Sequence, residues 1–567
     1  MKPVPPTLSR DKLQYLMANH AFNVPNDAAV KVLLATYIDH IHSVFPIFHL
    51  RSLLETILTT PHQGCRRDLS LMVFQAIMAA AVVFVGPDVV RQLGWPTRNA
   101  ARKALFERVK ALYDTNYETD RQSLCQSLIL MSIAKEDPEK PEDSRAWVDL
   151  AWLHLECAQS QACLRDGPGP IPPSALWRRI WWACYVQDHR LAIACKKSVV
   201  RSFTTNDSVK LKLDDFDIRC YPSLVTEALP SLSLLQRTDL QEEYTRLCLA
   251  NNELYACLDS TLACDQMSLH SGPWAYPGTK SPRDRWFQTR SSGTVNQCAR
   301  QLHGWVQSYA PYVMSPPQHT ETTINVLSAR QIELQIISAS ALSLLICSQL
   351  SQSAQPVEFG VHESTIKLIH AATEVTEGFL FLRRHRLLSY VSASVLQLLM
   401  PAALVHLRQC YTEVPSVREN SVSLLRQCIK VFASLEDTYS SARSSCLVLE
   451  QALDRLMAHI SKTVSHGDYT TSEDGRRQHS PPCLSTDLEV DCGSENPYKG
   501  AQQLRSPSAS AVFEAFLDSE DEANDTLFAT PGTVDFDSGV QDSSYSSYVN
   551  LRDVEQDLLY QLTLFSG

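Results

Sequence analysis

The chain has 567 residues, 44% of them hydrophobic, with 30 prolines against 18 glycines and a formal net charge of −11. That length exceeds one ordinary domain, and leucine-rich stretches with few glycines favour a sizeable helical core over sheets. The charge balance excludes a generally basic, nucleic-acid-coating surface, and the 17 cysteines never form a Cys-x-x-Cys pair, so they read as reduced core residues rather than a disulfide or zinc framework.

Residues 1–27 form a polar, proline-bearing lead-in with no signal-peptide pattern. Asn26 and Asp27 suit the N-cap of a helix starting near Ala28, whose apolar residues Val30, Leu33, Leu34, Tyr37, Ile41 and Val44 recur at helical spacing. Pro46 interrupts that helix, and Phe45, Ile47 and Phe48 beside it are expected to be buried. Helical patterns continue over 51–59, 68–85, 97–113 and 119–135. A charged loop at 136–143 precedes a helix that Ser144 is placed to cap, with Trp147, Leu150, Ala151, His154 and Ala158 as its apolar face. After the link Gly167-Pro168-Gly169-Pro170, Ser174 caps a further helix with Trp177, Ile180, Trp181, Cys184, Asp188, Leu191 and Cys195 along one side.

Residues 266–294 are rich in Ser, Gly, Pro and charge and read as an exposed loop. Helical periodicity resumes over 295–309, 322–351, 361–382, 387–410 and 416–461. Two apolar runs, 71–85 and 387–405, are read as buried helices, because the first is short and contains Gln75 and the second contains Ser389, Ser392, Ser394, Gln397 and Pro401. No membrane partner is expected. No period-two run demands a sheet, so the fold class is all-α, with one helical body over 28–462.

Residues 463–510 are dominated by Ser, Thr, Gly, Pro, Asp and Arg and lack the apolar surface that offsets ordering entropy, so they are expected to be a disordered linker. Residues 511–567 hold eight Asp and four Glu against the single Arg552, which equals the net charge of the whole chain. Val512, Phe513, Phe516, Leu517, Leu527, Phe528, Val534 and Phe536 are interleaved with those acids, and 554–565 has the pattern of a short amphipathic helix presenting Leu558, Leu559, Leu562 and Phe565. Acidic residues that keep bulky apolar groups solvated suit an activation tail that folds against a coactivator groove.

A family resemblance rests on two ordered motifs. Trp147, Leu150-Ala151, Ala158 and Leu164-Arg165-Asp166, followed by Arg178-Arg179-Ile180-Trp181-Trp182-Ala183-Cys184-Tyr185-Val186-Gln187-Asp188-His189-Arg190, resemble the middle homology region of fungal-specific transcription factors. The stretches at 15–25 and 33–49, and 196–217 after the Trp-Trp helix, are similar to the branch that includes the cutinase transcription factors. In place of the usual Gly-Arg-Pro phrase stands Cys195-Lys196-Lys197-Ser198. The resemblance implies a nuclear regulator of metabolic or secondary-metabolite genes, responsive to a small-molecule effector and working with coactivator or mediator-type partners. The family's N-terminal zinc cluster needs Cys-x2-Cys-x6-Cys twice over, a pattern this sequence does not contain. DNA contact is therefore expected through a partner factor or through a preceding segment.

The sequence nominates no catalytic, cofactor-binding or metal-ligating residue and no cofactor. His40, His42 and His49 include a His-x-His pair but lack an accompanying His-Glu-x-x-His carboxylate, and His40 and His42 fall on different helix faces. Trp181, Trp182 and Tyr185 have core spacing, although stacking on an effector is the alternative. Asp188 on an apolar face needs a cationic partner, either an arginine of another helix or Arg190. Arg66-Arg67, Lys196-Lys197 and Arg383-Arg384-His385-Arg386 are short enough to be solvated faces. Phosphate-cradle and serine-elbow motifs are missing, so an enzyme is not expected. The competing reading is a non-transcriptional helical scaffold or ligand-binding protein built on the same body.

Overall fold

The computed structural model describes residues 1–58, 69–136, 141–166, 174–195, 210–271, 293–313, 326–352, 358–412 and 414–467. Among them every long regular element is a helix. The sequence-derived link at 167–173, the motif at 196–209 and the tail at 511–567 lie outside the described residues, as do most of the 266–294 loop and of the 463–510 linker.

The first half contains α1 (Arg10–Ala18), α2 (Asp27–Tyr37), α3 (Leu50–Leu58), α4 (Leu71–Ala81), α5 (Pro87–Gln92), α6 (Arg98–Asp114), α7 (Arg121–Ala134), α8 (Pro141–Asp166) and α9 (Ala175–Cys195). The second half contains α10 (Ser223–Ala228), α11 (Thr238–Ser271), α12 (Gly293–Val313), α13 (Val326–Gln352), α14 (Glu358–Arg384), α15 (Ala393–Leu396), α16 (Leu399–Gln409), α17 (Pro415–Ala433) and α18 (Ser440–Gly467). Side-chain caps fix several starts. Asn26 accepts from Ala29 N at 2.8 Å, Asp120 from Ser123 N at 2.9 Å, and Ser174 from Trp177 N at 3.3 Å, each satisfying a donor the helix leaves unpaired.

The structure corrects the reading of α8. The helix begins at Pro141, so Ser144 lies inside it, fully buried, rather than capping it. Val148, Ala151, Trp152 and Leu155 form the buried stripe, whereas Trp147, Leu150 and His154 lie at its half-buried margin. The apolar run at 387–405 is also not one helix. It divides into a 3-10 turn at Leu388–Tyr390, then α15, then the start of α16, with Pro401 in the first turn where its missing N–H costs no bond. Among the described residues, one helix is long and apolar enough to cross a membrane, Val326–Cys347 within α13, and about two-thirds of its most apolar stretch is buried inside the protein.

Within the lead-in, α1 docks on the body. Leu16 is fully buried, and Gln75 of α4 donates to Ala21 O at 3.1 Å and Asn23 O at 2.8 Å. From there α4 packs on α2, α6 and α7, α7 on α8, and α8 on α9. In the second half α11 packs on α12 and α13, α13 on α14, α14 on α16 and α17, and α17 on α18. The helix between the two sets is α9, in contact with α7 and α8 on one side and α11 and α15 on the other. It is buried on every face from Arg179 to Ala192, which requires its polar side chains to find partners inside.

Candidate functional site

The chain between α2 and α3 sets the geometry. Ile38–His42 widens into a π-helical turn, with Ser43 N donating to Ile38 O at 3.3 Å. Pro46 brings no N–H, so the helix cannot continue and its last carbonyls lose their usual donors. Two distant arginines bind carbonyls on either side of this break, one within the turn and one beyond Pro46. Arg330 of α13 donates to His40 O at 2.6 Å, and Arg179 of α9 donates to Pro46 O at 2.9 Å and Phe48 O at 3.2 Å. Turns of this kind, held from outside, concentrate at functional sites.

Arg330 belongs to a buried charge cluster. Glu333, one helical turn along α13, accepts from Arg330 with one oxygen and from Arg190 of α9 with the other. Arg190 also donates to Ser392 Oγ at 2.9 Å and lies over the Phe45 ring, 5.5 Å from its centre. Glu136 accepts from Ser394 N at 2.8 Å at the start of α15. Two arginines and two glutamates thus balance where water is excluded, the condition under which buried charge persists. The cluster joins α9, α13, α15 and the π turn.

Arg179 has a different setting. It is 3% exposed, and desolvation by burial lowers its pKa from the ordinary arginine value. Its Nε has no hydrogen-bond partner among the described residues, and no carboxylate there forms an ion pair with it. Asp215 and Asp217, whose charges act on Arg179 against that desolvation, form their ion pairs with Arg178 and Arg219. Arg179 lines a cavity of about 70 Å³ together with His42, Phe48, Phe216, Tyr244 and Thr245. Burial, then the charge of Arg179, push the His42 imidazole down to about 3, and its Nδ1 is also unpartnered among the described residues. Burial pushes the Cys248 thiol on the cavity wall up to about 12. Beyond Phe216 and Asp217 the cavity adjoins an open groove that reaches His49, Arg51 and Asp214.

The three histidines considered as metal ligands are held apart. His40 stacks on Tyr390 and Phe84, with ring centres 4.2 and 5.1 Å away, whereas His42 faces Tyr37 and the cavity, and His49 Nδ1 meets Arg179 Nη2 at 3.4 Å. Trp181, Trp182 and Tyr185 pack on one another and on Trp152 in the core. Asp188 pairs with Arg145 of α8 at 3.1 Å, so its cation comes from another helix, and Arg190 is engaged with Glu333 instead. Sequence reading missed the roles of Arg330 and Glu333. Their signal was present as two opposite charges at i,i+3 within an otherwise uncharged helix.

Residues 34–227 match the fungal specific transcription factor domain. The chain carries a fungal specific transcription factor domain. It is 26% identical to cutinase transcription factor 1 beta of Fusarium vanettenii over 82% of this chain and 54% of that protein. It is 31% identical to transcription factor cpaR of Aspergillus oryzae over 44% of this chain and 41% of that protein. It is 25% identical to the fusaric acid cluster transcription factor FUB12 of Fusarium oxysporum f. sp. lycopersici over 32% of this chain and 26% of that protein. The chain spans about half the length of cutinase transcription factor 1 beta.

The fungal specific transcription factor domain does not close on itself here. Its α9 supplies Arg179 and Arg190, but Thr245 and Cys248 of the cavity and Glu333 and Arg330 of the charge cluster come from helices beyond residue 227. The matched domain is one of transcription factors, not a catalytic fold.

Proposed function

We propose that this chain is a nuclear regulator of transcription in a fungus, built from a helical regulatory body and an acidic C-terminal activation tail. The observation that carries the reading is that likeness to cutinase transcription factor 1 beta extends over 82% of the chain, well past the matched domain. Relatives named for cutinase and for a fusaric acid cluster support a metabolic or secondary-metabolite gene set as the target. The tail at 511–567, with acids and aromatics interleaved, recruits coactivator or mediator-type proteins. DNA is reached through a partner factor or through a preceding segment.

Tethering residues 505–567 to an unrelated DNA-binding domain tests the tail, and reporter output is expected. A silent reporter assigns the tail a merely solubilising role. Deleting the gene tests the larger reading, with nuclear location of the tagged protein and altered transcript levels expected. The cavity beside Arg179 favours one second reading, a ligand-binding protein without a transcriptional role. That reading predicts a cytosolic protein and an unchanged transcript profile.

A further inference from the structure

We propose that the acidic segment 511–567 docks on the body of its own chain, over a cationic surface made by the end of α14 and by α17. Arg383 Nη1 meets Gln427 Oε1 of α17 at 3.5 Å, which seats the basic run Arg383-Arg384-His385-Arg386 against that helix. Arg426 and Lys430 flank Gln427 and share one exposed side of α17, four positions apart. Arg384 and Arg386 are exposed as well. None of these five cations forms an ion pair with a described residue, whereas Arg51 and Arg246 each hold a glutamate one turn away. The acids around this surface do not cancel it. Glu377 lies six positions before Arg383 and Glu419 seven before Arg426, and five cations less these two acids leave three positive charges. Past the end of α17, Glu436 bonds the Cys446 thiol and the charge of Asp437 acts on Arg98. On α18, Arg443 offsets Glu450. Half-buried Phe381 packs on His385 with ring centres 4.3 Å apart, which puts an aromatic face among the cations.

The occupant that fits is the chain's own tail. Residues 511–567 carry eight Asp and four Glu against Arg552, interleaved with Phe513, Phe516, Phe528 and Phe536, so acids meet cations and rings meet Phe381. Reach allows it. α18 begins ten positions after Lys430 and runs 28 residues to Gly467, about 42 Å. The 43 residues between Gly467 and Ala511 can extend over about 140 Å. Tethering on this scale holds the tail at an effective concentration on the order of 1 mM, an advantage that a free anion of the same charge lacks. The contact is one of screened surface charges, loose enough to leave the melting temperature of so large a body in place. It goes beyond the activating role proposed for the tail, and it is read on purified protein rather than on a reporter.

Zero-length carbodiimide cross-linking of the full chain, which joins a lysine amine to a carboxylate it touches, tests the contact by mass spectrometry. Amides from Lys430 to the acids of 511–567 within one chain are expected, at least about tenfold above those from the exposed Lys31 and Lys103. They are expected to disappear in about 0.5 M salt. Arg384→Glu combined with Arg426→Glu changes two exposed side chains that bond no described residue. The double variant is expected to melt as wild type and to give at least about fivefold fewer of those cross-links. Cross-links only between two copies, a Lys430 yield no higher than at Lys31 and Lys103, or an undiminished yield in the folded double variant overturns the proposal. Duplex DNA bound through the same two arginines, with no tail cross-link in its absence, assigns the surface to phosphate and overturns it as well.

Discussion

Glu333 holds two guanidinium groups in a place water does not reach. Removing its carboxylate leaves Arg190 and Arg330 facing each other with Glu136 as the remaining counter-charge. Glu333→Ala is therefore expected to cost roughly 3–5 kcal/mol in denaturant unfolding, whereas the same change at an exposed pair such as Arg91–Asp88 costs less than about 1 kcal/mol. His406 acts through protons. Burial pushes its imidazole down from 6.5 to about 4, and Thr376 Oγ1 lies 2.9 Å from Nε2. Between those values the unfolded chain takes up a proton that the folded chain refuses, so stability falls as pH falls through that window and levels off below it. Asp39 works the other way. Burial raises its carboxyl from 3.8 to about 7, so the folded chain keeps a proton that the unfolded chain releases, and stability declines as pH rises between those values. His406→Leu is expected to flatten the pH dependence of unfolding free energy between pH 6.5 and 4 by up to about 1.4 kcal/mol per pH unit, measured against wild type across that range. At this scale the sequence was legible where one residue type answers one local need, as in the caps at Asn26 and Ser174. It was silent on Arg179, whose partners Pro46 O and Phe48 O lie more than 130 positions away.

Helix pairs carry their own constraints. On α14, Gly378 lets α13 approach so closely that an added Cβ would sit 2.7 Å from Ile336 Cγ1. Gly378→Ala gains up to about 1 kcal/mol of helix propensity but forces overpacking that costs about 1–3 kcal/mol. Net destabilisation in thermal unfolding is the expected outcome. Past the end of α14, Arg386 closes the helix with φ 59°, while Leu387 N returns to Leu382 O at 2.7 Å. Glycine takes that left-handed geometry without strain, so Arg386→Gly is expected to stabilise the fold by about 0.5–1 kcal/mol. Periodicity located most of the long helices, because burial of one stripe repeats at 3.6 residues, but it left α11, the longest of the described helices, unassigned and ran α17 and α18 together as one segment at 416–461. It failed where burial surrounds the helix or shifts around it. The face of α8 was misplaced because Trp147 sits at the margin beside Phe106 and Tyr113, and α9 has no exposed side to give a stripe. Short α5 was missed because six residues span too little for a period to show.

For the molecule as a whole, the formal net charge is concentrated at one end of the chain. The net charge of 511–567 equals that of the entire protein. Deleting that segment is expected to leave the melting temperature unchanged while lowering solubility near neutral pH, because the remaining body is close to zero net charge. Light scattering and a thermal scan on the truncated protein check both halves of that statement. The matched domain, by contrast, is not separable from the helices C-terminal to it. Arg190 and Glu333 are 143 residues apart in the chain. At ribosomal rates of about 5–20 residues per second, Glu333 is made roughly 7–30 s after Arg190. Throughout that interval Arg190 has Glu136 but not Glu333 as a counter-charge, and the side of α9 that meets α15 has no cover. The nascent first half is thus a substrate for holding chaperones until α13 leaves the exit tunnel, and the yield of native protein depends on how long that hold lasts.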